Sequence, residues 1–331
     1  MTGFSTDFGR APPRLLVAVD AFGDDHIQDL REAAGGRAIC ERLGQDASAD
    51  EYARAMAAAE VMVGWPDPEL LASSPLRLLL LPSAGYEEYL TPELAAREGL
   101  VVCNAGGAYS EGVAEHCVAM MLALVRRLPE YLAAMGPRRW EHLHRHGRLA
   151  GSTVCVIGLG TLGSAIARRC AALDMDVVGV RRHPDRPSPN VSEVFGPEDL
   201  AIAVAGADHV VGALPGGAAT RGLISREVLA TMKPGTYFYN VGRGPSVDEE
   251  ALIERLADGH LAGAGLDVFA TEPLPSDSPL WAMENVIVTP HMAGYAWDYA
   301  DELCDVFAAN LAAYVAGEPP PNLINLSPGS P

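Results

Sequence analysis

The chain has 331 residues and a formal net charge of −19 at pH 7, a length that favours two domains of roughly 150 residues each. A field of this sign repels phosphate backbones and anionic lipid, so neither nucleic acid nor a membrane is an expected partner. Residues 1–14 lack the apolar stretch of a signal peptide. The six cysteines are scattered and form no C-x-x-C pair, which favours reduced thiols and a cytoplasmic protein.

Apolar runs alternate with helical patterns along the first third of the chain. Strands are predicted at residues 15–20, 61–65, 76–81 and 100–103. Helices are predicted between them, at residues 51–59 and 93–98. Such alternation is typical of a parallel sheet covered on both faces. Since this part lacks the closely spaced glycines found further along at residues 158–163, we interpret it as a separate, smaller α/β domain.

A glycine-rich turn lies further along, between an apolar run and a helical pattern. Its glycines follow G-x-G-x-x-G spacing and are Gly158, Gly160 and Gly163. The first allows a tight turn, the second lets the backbone approach a diphosphate, and the third lets the helix pack against the strand. Because the apolar run 154–157 precedes the turn and a helical pattern at 164–169 follows it, the context fits a dinucleotide-binding site. The N–H groups at the helix start, including those of Thr161 and Leu162, would bind the diphosphate.

The same alternation continues after the fingerprint. Further strands are predicted at residues 177–180, 209–214, 236–241, 264–268 and 286–289. Further helices are predicted at residues 117–128, 197–205, 226–232, 249–258 and 299–316. Ligands of open α/β sheets collect at the carboxyl ends of the strands. The polar residues that follow these strands are therefore the candidate site residues.

Three such residues stand out, Arg243, Glu272 and His291. Each has an ordinary interpretation when taken singly: a loop salt bridge for the arginine, a turn for the glutamate before Pro273, and a satisfied turn histidine. Their order behind a dinucleotide fingerprint instead favours a catalytic set with one guanidinium, one carboxylate and one imidazole.

These patches and their neighbours resemble the D-isomer-specific 2-hydroxyacid dehydrogenases, in particular the glyoxylate and hydroxypyruvate reductases. The other matching motifs lie at residues 83–87, 149–153, 214–215, 220–224 and 232–235. The resemblance implies two parallel-sheet α/β domains, Rossmann-like and flavodoxin-like, with a cleft between them. The substrate domain would be discontinuous, with residues 1–104 and 295–331, and the dinucleotide-binding domain would comprise residues 105–294. A homodimer built on the nucleotide domains is also implied.

The resemblance implies hydride transfer between NAD(P)H and a small 2-keto acid, which gives a D-2-hydroxy acid. His291 is the expected acid/base, because imidazole titrates near the working pH. Glu272 would orient the imidazole and favour its protonated form. Arg243 offers a planar fork of donors to the substrate carboxylate and carbonyl oxygen, and the backbone N–H groups of Ala84 and Gly85 would complete the carboxylate site.

Glyoxylate or hydroxypyruvate is the expected substrate. Glu272 disfavours formate, because relatives that act on formate lack this glutamate. The Ser83-Ala84 sequence disfavours phosphite, because relatives that act on phosphite carry a lysine in this loop. The alternative from another class is a dinucleotide-sensing corepressor on the same fold, which would bind the cofactor without turnover.

The cofactor prediction depends on the residues after the second strand of the nucleotide domain. An acidic residue there binds the ribose 2′-hydroxyl of NAD. This chain has Arg181 and Arg182 instead, and guanidinium groups pair with a 2′-phosphate. NADP is therefore predicted over NAD, with solvated loop arginines as the alternative. The resemblance adds Pro215, Val241 and Asp267 as cofactor contacts, the last at the nicotinamide amide.

Other signals are weaker. The H-x-H-x-H run at His142, His144 and His146 lacks the ligand spacing of a zinc site, so no metal is expected and a solvated or dimer-facing loop is favoured. Glu115 and His116 match a family motif on a predicted helix and are expected to be structural. Aromatic candidates for the substrate pocket are Trp65, Tyr86 and Tyr295.

Overall fold

The computed structural model describes residues 12–44 and 46–326. The described residues form two compact units, one made of the chain up to Tyr109 together with the chain from Ala296 onward, and the other of Ser110–Tyr295. Most of the N-terminal segment interpreted above lies outside the described residues. Within them, no helix combines the length and apolar character needed to cross a bilayer.

The first unit is built on a five-stranded sheet. Its strands are β1 (Arg14–Val17), β2 (Ile39–Arg42), β3 (Val61–Val63), β4 (Leu78–Leu81) and β5 (Val101–Asn104). The helices along this part of the chain are α1 (Asp24–Ala33), α2 (Ala49–Ala58), α3 (Pro68–Ser73) and α4 (Pro92–Ala95). The strands are parallel in the order β2-β1-β3-β4-β5, which is the flavodoxin-like order.

The second unit is built on a seven-stranded sheet. Its strands are β6 (Thr153–Ile157), β7 (Asp176–Val180), β8 (Glu193–Phe195), β9 (His209–Gly212), β10 (Thr236–Asn240), β11 (Leu261–Leu266) and β12 (Val286–Val288). Its helices are α5 (Ser110–Val125), α6 (Leu128–Met135), α7 (Thr161–Ala172), α8 (Leu200–Ala205), α9 (Arg226–Thr231) and α10 (Glu249–Ala257). A last helix, α11 (Tyr299–Ala316), belongs to the first unit.

The order β12-β11-β10-β9-β6-β7-β8 reverses direction between β6 and β9. All neighbouring strands are parallel, so this is the doubly wound Rossmann arrangement, and its ligands bind where the order reverses. The predicted fold class, two parallel-sheet α/β domains, is confirmed.

Each sheet is buried on both faces, as the apolar runs predict. All four leucines of β4 are buried, and helix α11 covers one face of the first sheet with Phe307, whose ring centroid lies 6.4 Å from that of Phe22. Helix α5 packs on the second sheet through Cys117, Met121 and neighbouring side chains. Parallel sheets need such cover on both faces.

The six cysteines are all free, and five of them are buried. Burial raises the pKa of Cys103 and of Cys155 to about 12, because a thiolate is poorly solvated in an apolar core. The side chains therefore remain neutral thiols and pack as small apolar groups.

Candidate functional site

The fingerprint turn connects β6 to α7. Gly158 has φ +104°, and a Cβ there would lie 2.6 Å from the carbonyl oxygen of Ala213. A Cβ at Gly163 would lie 2.0 Å from the carbonyl oxygen of Gly158. A Cβ at Gly160, in contrast, would have no protein atom within 4 Å. Packing therefore requires the first and third glycines, whereas the bare backbone at Gly160 leaves room for a ligand.

The start of α7 suits an anionic group. Gly160 is the N-cap and supplies no side-chain acceptor, while its carbonyl accepts the N–H of Ser164 at 2.9 Å. The N–H groups of Thr161 and Leu162 have no intrahelical acceptor, because they belong to the first turn. Orphan N–H groups and the positive end of a helix together suit a diphosphate, so the residues present fit a dinucleotide.

Pro215 lies at the same switch point, and Val241 lies one strand further along the sheet. Pro215 is exposed and follows β9, and its carbonyl accepts the Thr220 hydroxyl at 2.7 Å. Val241 is buried and follows β10. Strand β9 is next to β6 in the sheet and β10 is next to β9, and all three are parallel, so both residues lie at the edge where the fingerprint turn lies.

Arg181 and Arg182 directly follow β7. The N–H of Arg181 donates to the carbonyl of Phe195 at 3.0 Å, and its Nη1 donates to Ser188 Oγ at 3.2 Å. In the described part of the chain neither guanidinium forms an ion pair with a carboxylate. Two cations without acidic partners in a chain of net charge −19 are suited to bind an anion.

His291 and Glu272 form a direct pair. His291 Nδ1 lies 2.7 Å from Glu272 Oε2, and the other carboxylate oxygen, Oε1, accepts the N–H of Phe269 at 2.9 Å. The glutamate is thus held by backbone on one oxygen and holds the imidazole with the other. Because Nδ1 is engaged, Nε2 is the ring nitrogen left for a substrate. The histidine side chain is 49% exposed, which leaves this nitrogen accessible.

Arg243 follows β10 and is half-buried. Its backbone carbonyl accepts Ser246 Oγ at 2.6 Å, and its guanidinium Nη1 donates to the carbonyl of Gly242 at 2.9 Å. A Cβ at Gly244 would lie 1.8 Å from the carbonyl oxygen of Phe269. The arginine loop therefore packs directly on the turn that leads to the glutamate, at the same edge of the sheet.

Asp267 is 2% exposed and accepts three hydrogen bonds from the protein itself. Its Oδ1 accepts Thr289 Oγ1 at 2.6 Å and the N–H of Met292 at 3.0 Å, and its Oδ2 accepts the N–H of Ala293 at 3.1 Å. The carboxylate thus organises the turn around His291. Its expected contact with the nicotinamide amide stays a prediction.

In the first unit, Ala84 and Gly85 follow β4. Their carbonyls are occupied, that of Ala84 by Asn104 Nδ2 at 2.7 Å and that of Gly85 by Ser83 Oγ at 2.6 Å. Their N–H groups have no partner among the described residues. Two adjacent free N–H groups on a braced loop can bind a carboxylate.

Sequence reasoning missed two residues of the site. Thr289 donates to Asp267, and Glu249 Oε2 accepts the N–H of Ala270 at 2.9 Å, which holds the turn before Glu272. The position of Thr289 directly after a strand was a usable signal, whereas Glu249 lies on a helix with no local indication of this contact.

The histidine run of the second unit shows no ligand arrangement. His146 Nε2 lies 3.0 Å from the hydroxyl of Tyr131, and the His142 ring meets Trp140 edge-on at 6.3 Å. No group of three or more potential ligands that could hold a metal ion occurs within the described ranges.

Comparison with known proteins agrees with this geometry. The family described as D-isomer specific 2-hydroxyacid dehydrogenase, NAD binding domain, matches residues 118–293. The chain is 35% identical over 267 residues to D-3-phosphoglycerate dehydrogenase of Mycobacterium bovis, covering 80% of this chain and 50% of the relative. It is 33% identical to glyoxylate reductase of Thermofilum pendens, covering 78% of each.

A solved structure is also similar along almost the whole chain. It is a D-isomer-specific 2-hydroxyacid dehydrogenase from Xanthobacter autotrophicus in complex with NADPH and MES, with a TM-score of 0.78, 32% identity, and 96% and 99% of the two chains covered. The chain belongs to the D-isomer-specific 2-hydroxyacid dehydrogenase family. It spans about half the length of the mycobacterial phosphoglycerate dehydrogenases that it matches.

Proposed function

We propose that the protein is an NAD(P)H-dependent dehydrogenase that reduces a small 2-keto acid to the D-2-hydroxy acid. The observation that carries the proposal is the 2.7 Å pair of His291 Nδ1 and Glu272 Oε2, at the edge of a Rossmann sheet whose glycine turn fits a diphosphate. Family membership supports the same chemistry.

Each residue of the site has a separate proposed role in the reduction. When bound, the reduced nicotinamide supplies the hydride to the carbonyl carbon. Protonated His291 gives the Nε2 proton to the carbonyl oxygen, and Glu272 stabilises the imidazolium and fixes its orientation. Arg243 binds the substrate carboxylate and polarises the carbonyl. The N–H groups of Ala84 and Gly85 are proposed as further carboxylate donors, so that the first unit serves as the substrate domain and the second as the dinucleotide-binding domain.

We propose glyoxylate or hydroxypyruvate as the substrate. The curated relative from Thermofilum is named a glyoxylate reductase and matches over most of its length. In the first unit, the segments that follow strands β1, β3, β4 and β5, at residues 18–23, 64–67, 82–86 and 105–109, contain no lysine or arginine. A phosphorylated substrate would need a cation there, so the proposal favours a small substrate without phosphate.

NADP is the proposed cofactor in preference to NAD. Arg181 and Arg182 stand where a carboxylate would bind the ribose 2′-hydroxyl, and neither is neutralised by an acidic side chain of the described chain. A 2′-phosphate would gain charge-assisted hydrogen bonds at this place.

A screen of turnover tests the whole proposal. The purified protein is mixed with NADPH and, separately, with glyoxylate, hydroxypyruvate, pyruvate, oxaloacetate and bulkier keto acids, and loss of NADPH absorbance is followed. We expect the fastest turnover with the two small substrates. Tight dinucleotide binding without turnover of any keto acid would reject the enzyme and favour the corepressor-like alternative.

We also propose a homodimer formed through the second unit, in a reducing cytoplasm. Helix α6 and the segment after it expose large apolar side chains, among them Leu128, Leu132 (66% exposed), Met135 and Trp140 (90% exposed). Exposed apolar residues in such density indicate a protein interface. The free cysteines agree with a reducing compartment.

A further inference from the structure

The turn that carries His291 is held from behind by a chain of three side chains, His116, Thr289 and Asp267, which we call the clamp. Thr289 Oγ1 lies 2.6 Å from Asp267 Oδ1. His116 Nε2 lies 3.0 Å from the same hydroxyl oxygen. All three belong to the second unit, and the histidine comes from helix α5, far from the others in sequence.

The direction of each hydrogen bond in the clamp follows from the donors available. The carboxylate of Asp267 also accepts two backbone N–H groups, so it accepts the hydroxyl hydrogen of Thr289. A hydroxyl has a single hydrogen, and the oxygen of Thr289 must then accept from His116. The network therefore places a hydrogen on Nε2 of His116.

The far end of the clamp fixes the backbone on both sides of His291. The N–H of His291 donates to the backbone carbonyl of Asp267 at 2.8 Å, and the carboxylate of Asp267 binds the N–H groups of the next two residues. His291 itself has φ +54°, a left-handed conformation that a residue with a side chain keeps only where its surroundings hold it. Removing a member of the clamp would release this turn.

Helix α5 is well placed to support the turn. A Cβ at Gly112, one turn before His116, would lie 3.5 Å from the carbonyl oxygen of Gly294. The helix backbone thus approaches the residues that follow His291, and its histidine reaches the residue two before it. Supporting contacts of this kind set the orientation of a reacting side chain.

We propose that His116 is a positioning residue for His291, acting through Thr289 and Asp267 to keep the imidazole on Glu272. This inference rests on the proposed function for its kinetic consequences. The variants below change His116 and Thr289 and keep Asp267, so breaking the clamp is expected to change turnover and the orientation of the His291 ring rather than binding of the cofactor.

The test compares variants that break the clamp with variants that keep it. His116→Leu and Thr289→Val remove one hydrogen bond each, whereas His116→Gln and Thr289→Ser retain a donor or hydroxyl at the same place. We expect kcat to fall about 10-fold or more in the first pair, with KM for NADPH nearly unchanged, since small displacements of a reacting group cost rate. The double variant should lose little beyond Thr289→Val alone, because both changes break one chain.

A spectroscopic measurement decides the question independently of turnover. The ring signals of His291 are identified in the histidine NMR spectrum by their loss in His291→Asn. They should shift in the same direction in both breaking variants and return close to the parent position in both conservative variants. If His116→Leu does not fold, the pair Thr289→Val and Thr289→Ser decides.

Two results would overturn the inference. One is an unchanged His291 signal in Thr289→Val, whatever happens to its melting temperature. The other is additive loss of kcat in the double variant. If the parent protein reduces no keto acid, the proposed function fails, and the ring signals still decide whether the clamp positions His291.

Discussion

At the scale of single residues, the site consists of short contacts between groups that lie far apart in the sequence. The sequence predicts which residue types follow the strands, and this was enough to select Arg243, Glu272 and His291 as candidates. It does not predict the bracing contacts of Thr289 and Glu249, because hydrogen bonds of this kind depend on the packing of distant segments. Their catalytic and supporting roles are open to direct test.

Replacing His291 tests the acid/base role. We expect His291→Ala to lower kcat by about 100-fold to 10,000-fold, because positioned proton transfer contributes this much to rate. The dissociation constant for NADPH, measured by fluorescence titration, should stay near the parent value. His183→Ala, in the exposed loop after β7, is the control. If His291→Ala reduces keto acids at the parental rate, His291 is not the acid/base of the reaction.

Replacing the arginines after β7 tests the cofactor preference. We expect the double variant Arg181→Ser, Arg182→Ser to lose about 10-fold or more in kcat/KM for NADPH, since hydrogen bonds to a charged group contribute about 1.5–3 kcal/mol. The value for NADH should change little, so the ratio of the two constants is the readout. A parent protein that clearly prefers NADH would contradict the prediction before any variant is made.

At the scale of elements, long apolar strands and periodic helices are predictable, and short edge elements are not. The sequence misses β2 and β8, because both lie at sheet edges and no residue of either strand is fully buried. The sequence also misses helices α1 and α3, which have few apolar positions. It predicts one helix at residues 117–128, where the structure has most of α5 followed by the first residue of α6. The central strands and the fingerprint helix were predictable because burial on both faces requires continuous apolar sequence.

The fingerprint turn offers a matched pair of variants. Gly163→Ala places a Cβ 2.0 Å from a carbonyl oxygen, and we expect about 1–3 kcal/mol of destabilisation from such overpacking. The Cβ of Gly160→Ala meets no atom beyond its chain neighbours, so its melting temperature should fall only slightly, through the poorer N-cap that alanine provides, while its affinity for NADPH falls. Thermal unfolding and cofactor titration of both variants are the measurements. A stable Gly160→Ala with parental affinity would show that the diphosphate binds elsewhere.

Strand β9 begins with His209, which is 3% exposed and stacked on Tyr237 and Tyr239. Burial lowers its pKa from 6.5 to about 4, so the unfolded chain binds a proton more readily than the folded chain between these values. This histidine therefore does not lower the free energy of unfolding above pH 6.5. As the pH falls from 6.5 toward 4, its buried neutral form lowers the free energy of unfolding by about 3 kcal/mol.

Urea unfolding at several pH values measures this contribution. We expect His209→Phe to show a smaller loss of stability between pH 6.5 and pH 4 than the parent. His183→Gln controls for the removal of one histidine from an exposed position. An identical loss in the parent and in His209→Phe would assign the acid sensitivity to other groups.

At the scale of the whole molecule, length and composition predict a globular chain of about two domains. The order of the strands in each sheet is instead implied by the resemblance to the family. The strand orders 2-1-3-4-5 and 3-2-1-4-5-6-7, each counted within its own unit, could not be obtained from periodicity alone, since the pattern of apolar residues says which strands are central and not which are neighbours. The net charge of −19 gives no information about the order of the strands in either sheet.

The apolar surface on α6 and after it provides the test at this scale. We expect the protein to sediment as a dimer, and Leu132→Glu to shift it toward the monomer, because a charge in an apolar interface remains unpaired. Ile202→Glu, at an exposed position on α8, is the matched control. A monomeric parent protein at micromolar concentration would exclude the proposed dimer.

The buried thiols can report local opening of the folded protein, because a buried thiol reacts with a reagent only when it becomes exposed to solvent. Because Cys40 alone among the six is not fully buried, a maleimide applied under native conditions should mark chiefly this residue. Cys103 and Cys304 lie in the core of one unit, and Cys117, Cys155 and Cys170 lie in that of the other. Mass spectrometry of the peptides labelled at longer times would therefore show which of the two units opens first, without an introduced cysteine.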